Sequence, residues 1–335
     1  MEIQQLKKGF KPLSSLEMLR VYLSYLMPKN HGYIKPVLLP TIHGYKLDPS
    51  ISIHTTPNKA QIGVYLDEEG NRYFAKQISR KAINLEQYWF RNEAKMTQII
   101  SEAYLKFKGA LPISVSHIKV PAYYGVYEDD VRLVMITEMI DGESLDKSNA
   151  ANKTEIIDDV LDFISELGRK ITKDTVRTLL NRDRLYFFAT TPFLCILALV
   201  RSPKKYKMIL SSAVKIFTGL DADSNDYNTF VHRDISYGNV IKAKDGSLYL
   251  VDFELAVITN PTVELANVAL NYWIDDNSLN NFNHLHAMKV YFANKEKFLD
   301  FKTFTLYYGL HSLIVSPEPF LKTSIDYLSY INTLS

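Results

Sequence analysis

Residues 230–239 read Phe-Val-His-Arg-Asp-Ile-Ser-Tyr-Gly-Asn, and Val-Asp-Phe-Glu follows at 251–254. Asp234, Asn239 and Asp252 therefore sit around two strand-like runs, 239–243 and 248–253, joined by the turn sequence Lys-Asp-Gly-Ser at 244–247. Magnesium prefers oxygen ligands and usually binds through one or two carboxylates together with substrate phosphates. Asn239 and Asp252 have the right types for that on neighbouring strand ends. Asp234 is then left to accept a proton from an incoming hydroxyl. A metal, a positioned hydroxyl and charge neutralisation are what phosphoryl transfer asks of a protein.

A second pair lies upstream. Lys76 follows Ala75 in a strand-like run, and Glu93 comes seventeen residues later inside a long helical pattern. A strand lysine held by a helix glutamate can grip the α- and β-phosphates of a nucleotide. Taken singly, each feature has an ordinary reading: an Asx turn at a strand end for Asp234 and Asn239, and a surface ion pair for Lys76 and Glu93. Glu254 and Glu264 could serve substrate or metal, or bond the loop around Asp234 or a helix N-terminus. The pair His284 and His286 reads as surface or packed histidines, because no cysteine or carboxylate cluster adjoins it.

The elements that must carry these residues follow from periodicity. Residues 61–67 alternate Ile62, Val64 and Leu66, and the Glu-Glu-Gly-Asn turn leads to a return strand at 72–78. Residues 83–107 lack Gly and Pro and repeat apolar residues every three or four positions, which predicts a helix. Residues 120–127 and 131–140 predict another hairpin, and 14–27 an N-terminal helix. Helices are expected at 154–170, 172–188, 192–201 and 206–219, then from about 262 onward. The fold class expected is α+β with two lobes: a helical extension at 1–50, a β-rich N-lobe with one long helix at 51–140, and a helical C-lobe at 141–335 with an insert at 172–219.

Bulk properties narrow the class. The chain has 335 residues, 47% of them apolar and 23% charged, as expected for a soluble globular protein of one large domain or two lobes. A net charge of +2 gives no strongly basic field, so nucleic acid is not an expected partner. One cysteine, Cys195, excludes an internal disulfide framework and fits a reducing compartment. The N-terminus lacks the apolar run of a secretory signal. The most apolar stretch, 185–200, is interrupted by Thr190, Thr191 and Pro192 and falls short of a bilayer span. The expectation is a cytoplasmic protein without a transmembrane segment. The insert could face a membrane or an anionic substrate through its basic residues; the reading preferred is that Phe187, Phe188, Phe193, Leu197 and Leu199 pack into the core.

With these residues in place, the chain resembles the protein-kinase-like superfamily over roughly residues 50–290. It is most similar to the branch of choline/ethanolamine kinases and aminoglycoside phosphotransferases. Asp252-Phe253-Glu254, with Glu264 twelve positions and Asn267 fifteen positions after Asp252, follows the choline-kinase spacing. Leu255 stands where that family has Tyr, Asn271 where it has Glu, and Trp273 comes one position late. The resemblance implies Asp234 as catalytic base, Asn239 and Asp252 as magnesium ligands, and Lys76, positioned by Glu93, as the phosphate grip. It further implies backbone contacts from Glu138, Met139 and Ile140 to adenine, a structural His232, and ATP with Mg2+ as cofactors. Residues 55–63 occupy the place of a phosphate-covering loop without its G-x-G-x-x-G pattern. The activity implied is transfer of the ATP γ-phosphate to a hydroxyl of a small molecule, such as an amino alcohol, a sugar or an aminoglycoside. Tyr272, Trp273, Tyr307 and Tyr308 could supply rings for a cationic acceptor. A protein Ser/Thr kinase and a nucleotide-binding scaffold are the alternatives. The short interval between Glu254 and the next helix argues against the first, and the intact Lys, Glu, Asp, Asn, Asp set against the second.

Overall fold

The computed structural model describes residues 38–42, 44–51, 60–79, 84–130, 132–149, 152–171, 182–221, 227–276, 279 and 294–334. The expected helix at 14–27, most of the phosphate-covering loop, residues 172–181 of the insert and His284 with His286 lie outside them. The described residues form two compact units: 38–149 with 238–256, and 152–237 with 257–334.

The first unit is built on an antiparallel sheet. Its strands are β1 (Thr41–Ile42), β2 (Tyr45–Leu47), β3 (Gln61–Leu66), β4 (Arg72–Ser79), β6 (Tyr123–Glu128) and β7 (Arg132–Glu138), in the order β1-β2-β3-β4-β7-β6. The short strand β5 (Ile118–Lys119) precedes β6 in the chain and belongs to a second sheet. Helix α1 (Asn84–Phe107) lies between β4 and β5 in the chain. Because strand side chains alternate faces, β4 presents Ala75 to a cluster with Tyr65, Val134 and Ile136, and Ile78 to a cluster with Phe90 and Ala94 of α1. Lys76 shares the face of Ile78, and Glu93 shares the face of Phe90 and Ala94, one turn apart. The two core clusters thus bring the lysine to the glutamate.

The second sheet of this unit joins β5, β11 (Leu248–Leu250), β10 (Val240–Ala243) and β8 (Gly142–Ser144), in that order. Gly142 allows the close pairing of β8 with β10, since a Cβ there would meet the Lys242 carbonyl oxygen at 2.3 Å.

The second unit is mainly helical: α2 (Lys153–Gly168), α3 (Arg184–Arg201), α4 (Tyr206–Asp221), α5 (Thr262–Asp276), α6 (Lys295–Val315) and α7 (Glu318–Thr333). A two-stranded sheet pairs β9 (Thr229–Val231) with β12 (Val257–Thr259). Helix α6 packs against α3, α4, α5 and α7, and every residue from Thr303 to Leu310 is buried.

One helix differs from expectation. Separate helices at 172–188 and 192–201 are predicted, split at the Thr-Thr-Pro sequence, yet α3 runs through Pro192 without interruption. An interior proline costs about 3 kcal/mol. The helix buries Phe187, Leu194 and Ala198 completely, and the two large side chains alone contribute roughly 2–3 kcal/mol each. The Thr190 and Thr191 hydroxyls donate back to the Tyr186 and Phe187 carbonyls, both at 2.7 Å, so both hydroxyls are satisfied inside the helix. Of the five insert residues expected in the core, Phe187 and Leu197 are buried, Phe188 and Leu199 half-buried, and Phe193 exposed.

Candidate active site

In the first unit, Lys76 Nζ lies 2.7 Å from Glu93 Oε2, 3.6 Å from Glu254 Oε2 and 3.9 Å from Asp252 Oδ1. Oxygens of Glu93, Asp252 and Glu254 fall within 4.8 Å of one another. Burial alone would pull the lysine toward neutrality, but the three carboxylates outweigh it and hold its ammonium above the ordinary value. Burial pushes the Glu93 carboxyl up to about 8 and raises that of Glu254 as well, with Asp252 adding to both and Lys76 opposing. Three acids share one cation. That surplus of negative charge favours either protons or a divalent ion.

Asp252 stands in the left-handed region at φ 63°, immediately before a single 3-10 turn, Phe253–Leu255. A non-glycine residue there is strained by about 1–3 kcal/mol and needs support from its surroundings. Buried Phe253 and the side chain of Asn92 supply it: Asn92 Nδ2 donates to the Glu254 carbonyl at 2.8 Å and the Ala256 carbonyl at 3.3 Å. Helix α1 therefore holds both Lys76, through Glu93, and the turn after Asp252, through Asn92. The sequence carries no signal for Asn92, because an asparagine beside a glutamate in a helix is commonplace. Asp252 Oδ1 is buried and accepts no hydrogen bond, which is the state expected of an oxygen reserved for a cation.

Asn239 ends the short 3-10 turn that leads into β10, and its carbonyl accepts the Val251 N–H at 3.0 Å. Since Val240 pairs with Leu250, the hairpin seats Asn239 across from Val251, next to Asp252. Glu138 closes β7, and Met139 and Ile140 follow it. Its N–H donates to the Ala122 carbonyl, while its carboxylate accepts the Ala122 N–H at 3.0 Å and the Tyr249 hydroxyl at 3.3 Å. The side chain of Glu138 thus fastens the end of the sheet.

The second unit holds Asp234, half-buried on the loop after β9. Its N–H donates to Nδ1 of the fully buried His232 at 3.2 Å, so His232 braces the loop. Arg233 has φ 67°, and its guanidinium sits 5.4 Å over the Tyr308 ring. Buried Glu264, near the start of α5, accepts the N–H groups of both His232 and Arg233 through its two oxygens. Of the two readings open for Glu264, this is the loop-bonding one. Asn271 Nδ2 donates to the Ile235 carbonyl at 3.1 Å and ties the loop to α5 again.

Glu264 sets a testable pH dependence. Burial raises its carboxyl from 4.5 to about 7, against the two backbone donors and Arg233, which hold it down. An acid whose value rises on folding contributes stability below its unfolded value and loses it as pH climbs through the folded one. Stability of the native chain is expected to fall by roughly 3 kcal/mol from this group between about pH 4.5 and 7. Denaturant unfolding of native protein and Glu264→Gln across that range should show the steeper fall in the former, the variant keeping the contributions of Glu93 and Glu254; equal slopes would remove the assignment.

The four rings offered for a cationic acceptor are otherwise engaged. Tyr272, Trp273, Tyr307 and Tyr308 are all buried. Trp273 Nε1 donates to the Thr323 carbonyl and its ring packs on Tyr327 and Tyr330; the Tyr307 hydroxyl pairs with Thr190 at 2.8 Å. These rings build the helical core.

A family model described as the phosphotransferase enzyme family matches residues 64–286, well over half the chain. The chain belongs to that family. The chain has the protein-kinase-like fold, as solved structures of low identity also show. One is a thermostable mutant of the aminoglycoside phosphotransferase APH(4)-Ia in ternary complex with AMP-PNP and hygromycin B, with 12% identity, a TM-score of 0.58, and coverage of 86% of this chain and 94% of that one. Another is a putative fructosamine-3-kinase from Haemophilus somnus, with 12% identity, a TM-score of 0.52, and coverage of 84% and 90%. An aminoglycoside phosphotransferase from Alicyclobacillus acidocaldarius has 15% identity, a TM-score of 0.50, and coverage of 90% and 95%. A search of curated proteins finds no match to this chain.

Proposed function

We propose that this chain transfers the γ-phosphoryl group of ATP to a hydroxyl of a polar small molecule: an amino alcohol, a sugar or an aminoglycoside-like compound. The observation that carries this reading is the Lys76–Glu93 pair set beside the unbonded, buried oxygen of Asp252. Lys76, oriented by Glu93, would hold the phosphates. The backbone beyond Glu138, at Met139 and Ile140, would take the adenine edge, since the N–H of Glu138 is already bonded. Asn239 and Asp252 would hold magnesium, which when bound neutralises charge on the phosphates. Asp234 would take the proton of the acceptor hydroxyl as its oxygen bonds to phosphorus and the bond to ADP breaks. Family membership, the hygromycin B bound by one structural neighbour and the fructosamine kinase name of another support a hydroxylated small acceptor. The interval between the 3-10 turn at Phe253–Leu255 and α5 at Thr262 is filled by β12, leaving little chain for a peptide-binding segment. A single buried cysteine fits a cytoplasmic location.

The test is a transfer assay with γ-labelled ATP, magnesium and a panel of choline, ethanolamine, sugars and aminoglycosides. Label is expected on a hydroxyl of one of these classes. Label on a casein-like protein alone would favour a protein kinase, and thermal stabilisation by ATP with no labelled product would favour a scaffold.

A further inference from the structure

Helices α3 and α4 form a hairpin that buries only part of its apolar surface. On α3, Leu185, Phe193, Ile196 and Val200 are 47–74% exposed. At 3.6 residues per turn these four fall within about a quarter of the helix circumference. Tyr206, Leu210 and Val214 make a matching exposed stripe on α4 at four-residue intervals. Single exposed leucines are ordinary on a soluble protein, whereas aligned stripes on both arms of one hairpin mark an interaction surface.

The charge around the stripes is of one sign. From Arg184 to Leu220 the chain has six basic residues and no Asp or Glu, although the whole protein carries a net charge of only +2. Lys204, Lys205 and Lys207 cluster at the hairpin tip, exposed and without an ion pair among the described residues. A second copy docking through this face would bring like charges together, which disfavours self-association. Apolar stripes edged by lysines, with a tyrosine at the boundary, are complementary to a bilayer surface bearing anionic headgroups.

By length and composition alone α3 could cross a bilayer, but a third of it is buried in protein. Phe187 and Leu194 are fully enclosed, and the Thr190 hydroxyl pairs with Tyr307 of α6. Spanning would tear that face out of the core, whereas lying on the surface uses only the exposed stripes.

We infer that the α3–α4 hairpin docks the protein reversibly onto anionic membrane surfaces. The inference is independent of the phosphoryl chemistry proposed above. It is tested by co-sedimenting the purified full chain with vesicles of phosphatidylcholine alone and of phosphatidylcholine mixed with phosphatidylglycerol. Binding is expected to the mixed vesicles only, and to weaken at high salt. Lys204→Ala, Lys205→Ala and Lys207→Ala combined should lower the partition about a hundredfold, at about 1 kcal/mol for each lysine. Ile196→Ser with Val200→Ser should lower it about tenfold or more. Both sets are exposed, so unchanged thermal midpoints should accompany the losses. Absence of binding to mixed vesicles, equal binding to neutral ones, or binding undiminished in both variants would each overturn the inference. So would a dimer in sedimentation velocity that the Ile196 and Val200 substitutions dissolve.

Discussion

Replacing Asp234 by alanine is expected to lower turnover by a factor of about 10²–10⁴ while ATP affinity stays nearly constant. The reason lies in how the loop is held. Its backbone is fixed by Glu264, which takes the N–H groups of His232 and Arg233, by His232, which takes that of Asp234, and by Asn271, which holds the Ile235 carbonyl. None of these bonds uses the Asp234 carboxylate. Removing it should therefore leave these backbone ties in place and withdraw the proton acceptor. Steady-state kinetics on the best acceptor, beside calorimetric titration with ATP, separates the two effects. Turnover retained in the variant would end the assignment of Asp234 as base.

The second large effect is expected at Asp252. Its left-handed backbone makes alanine a poor probe, because a Cβ there costs about 1–2 kcal/mol without hydrogen-bonding compensation. Asparagine tolerates that conformation and removes only the charge. Asp252→Asn is expected to weaken magnesium-dependent ATP binding on the order of a hundredfold, the scale of losing one partner from a buried charged contact. Binding measured without magnesium should be unchanged or tighter, since one acid fewer then repels the phosphates and Lys76 keeps Glu93 at 2.7 Å. Equal loss with and without the metal would indicate a collapsed turn, and no loss would contradict the ligand role.

The parts of the site readable from sequence are those set by local periodicity. Alternation on β4 and the helical stripe of α1 fix the faces of Lys76 and Glu93, so order and spacing were enough to pair them. The hairpin from β10 to β11 likewise follows from its turn residues. What could not be read depends on tertiary contact. Asn92 gains its meaning only from the two carbonyls it meets about 160 positions away, at 162 and 164 residues' separation. Tyr272, Trp273, Tyr307 and Tyr308 have the composition of a cation site, but neighbours absent from any local window bury them. Proline 192 signalled a helix break, and long-range burial on both sides of it overrode that signal.

The Lys295–Val315 helix has a consequence for how this protein can vary. Four other helices lean on it, and its middle stretch is enclosed on every side. It works as a spine, and a chain interrupted before Lys295 would leave the insert, the Thr262–Asp276 helix and the C-terminal helix with nothing to close against. Diversification is then channelled to loops and outward faces, while the spine admits only exchanges that preserve volume.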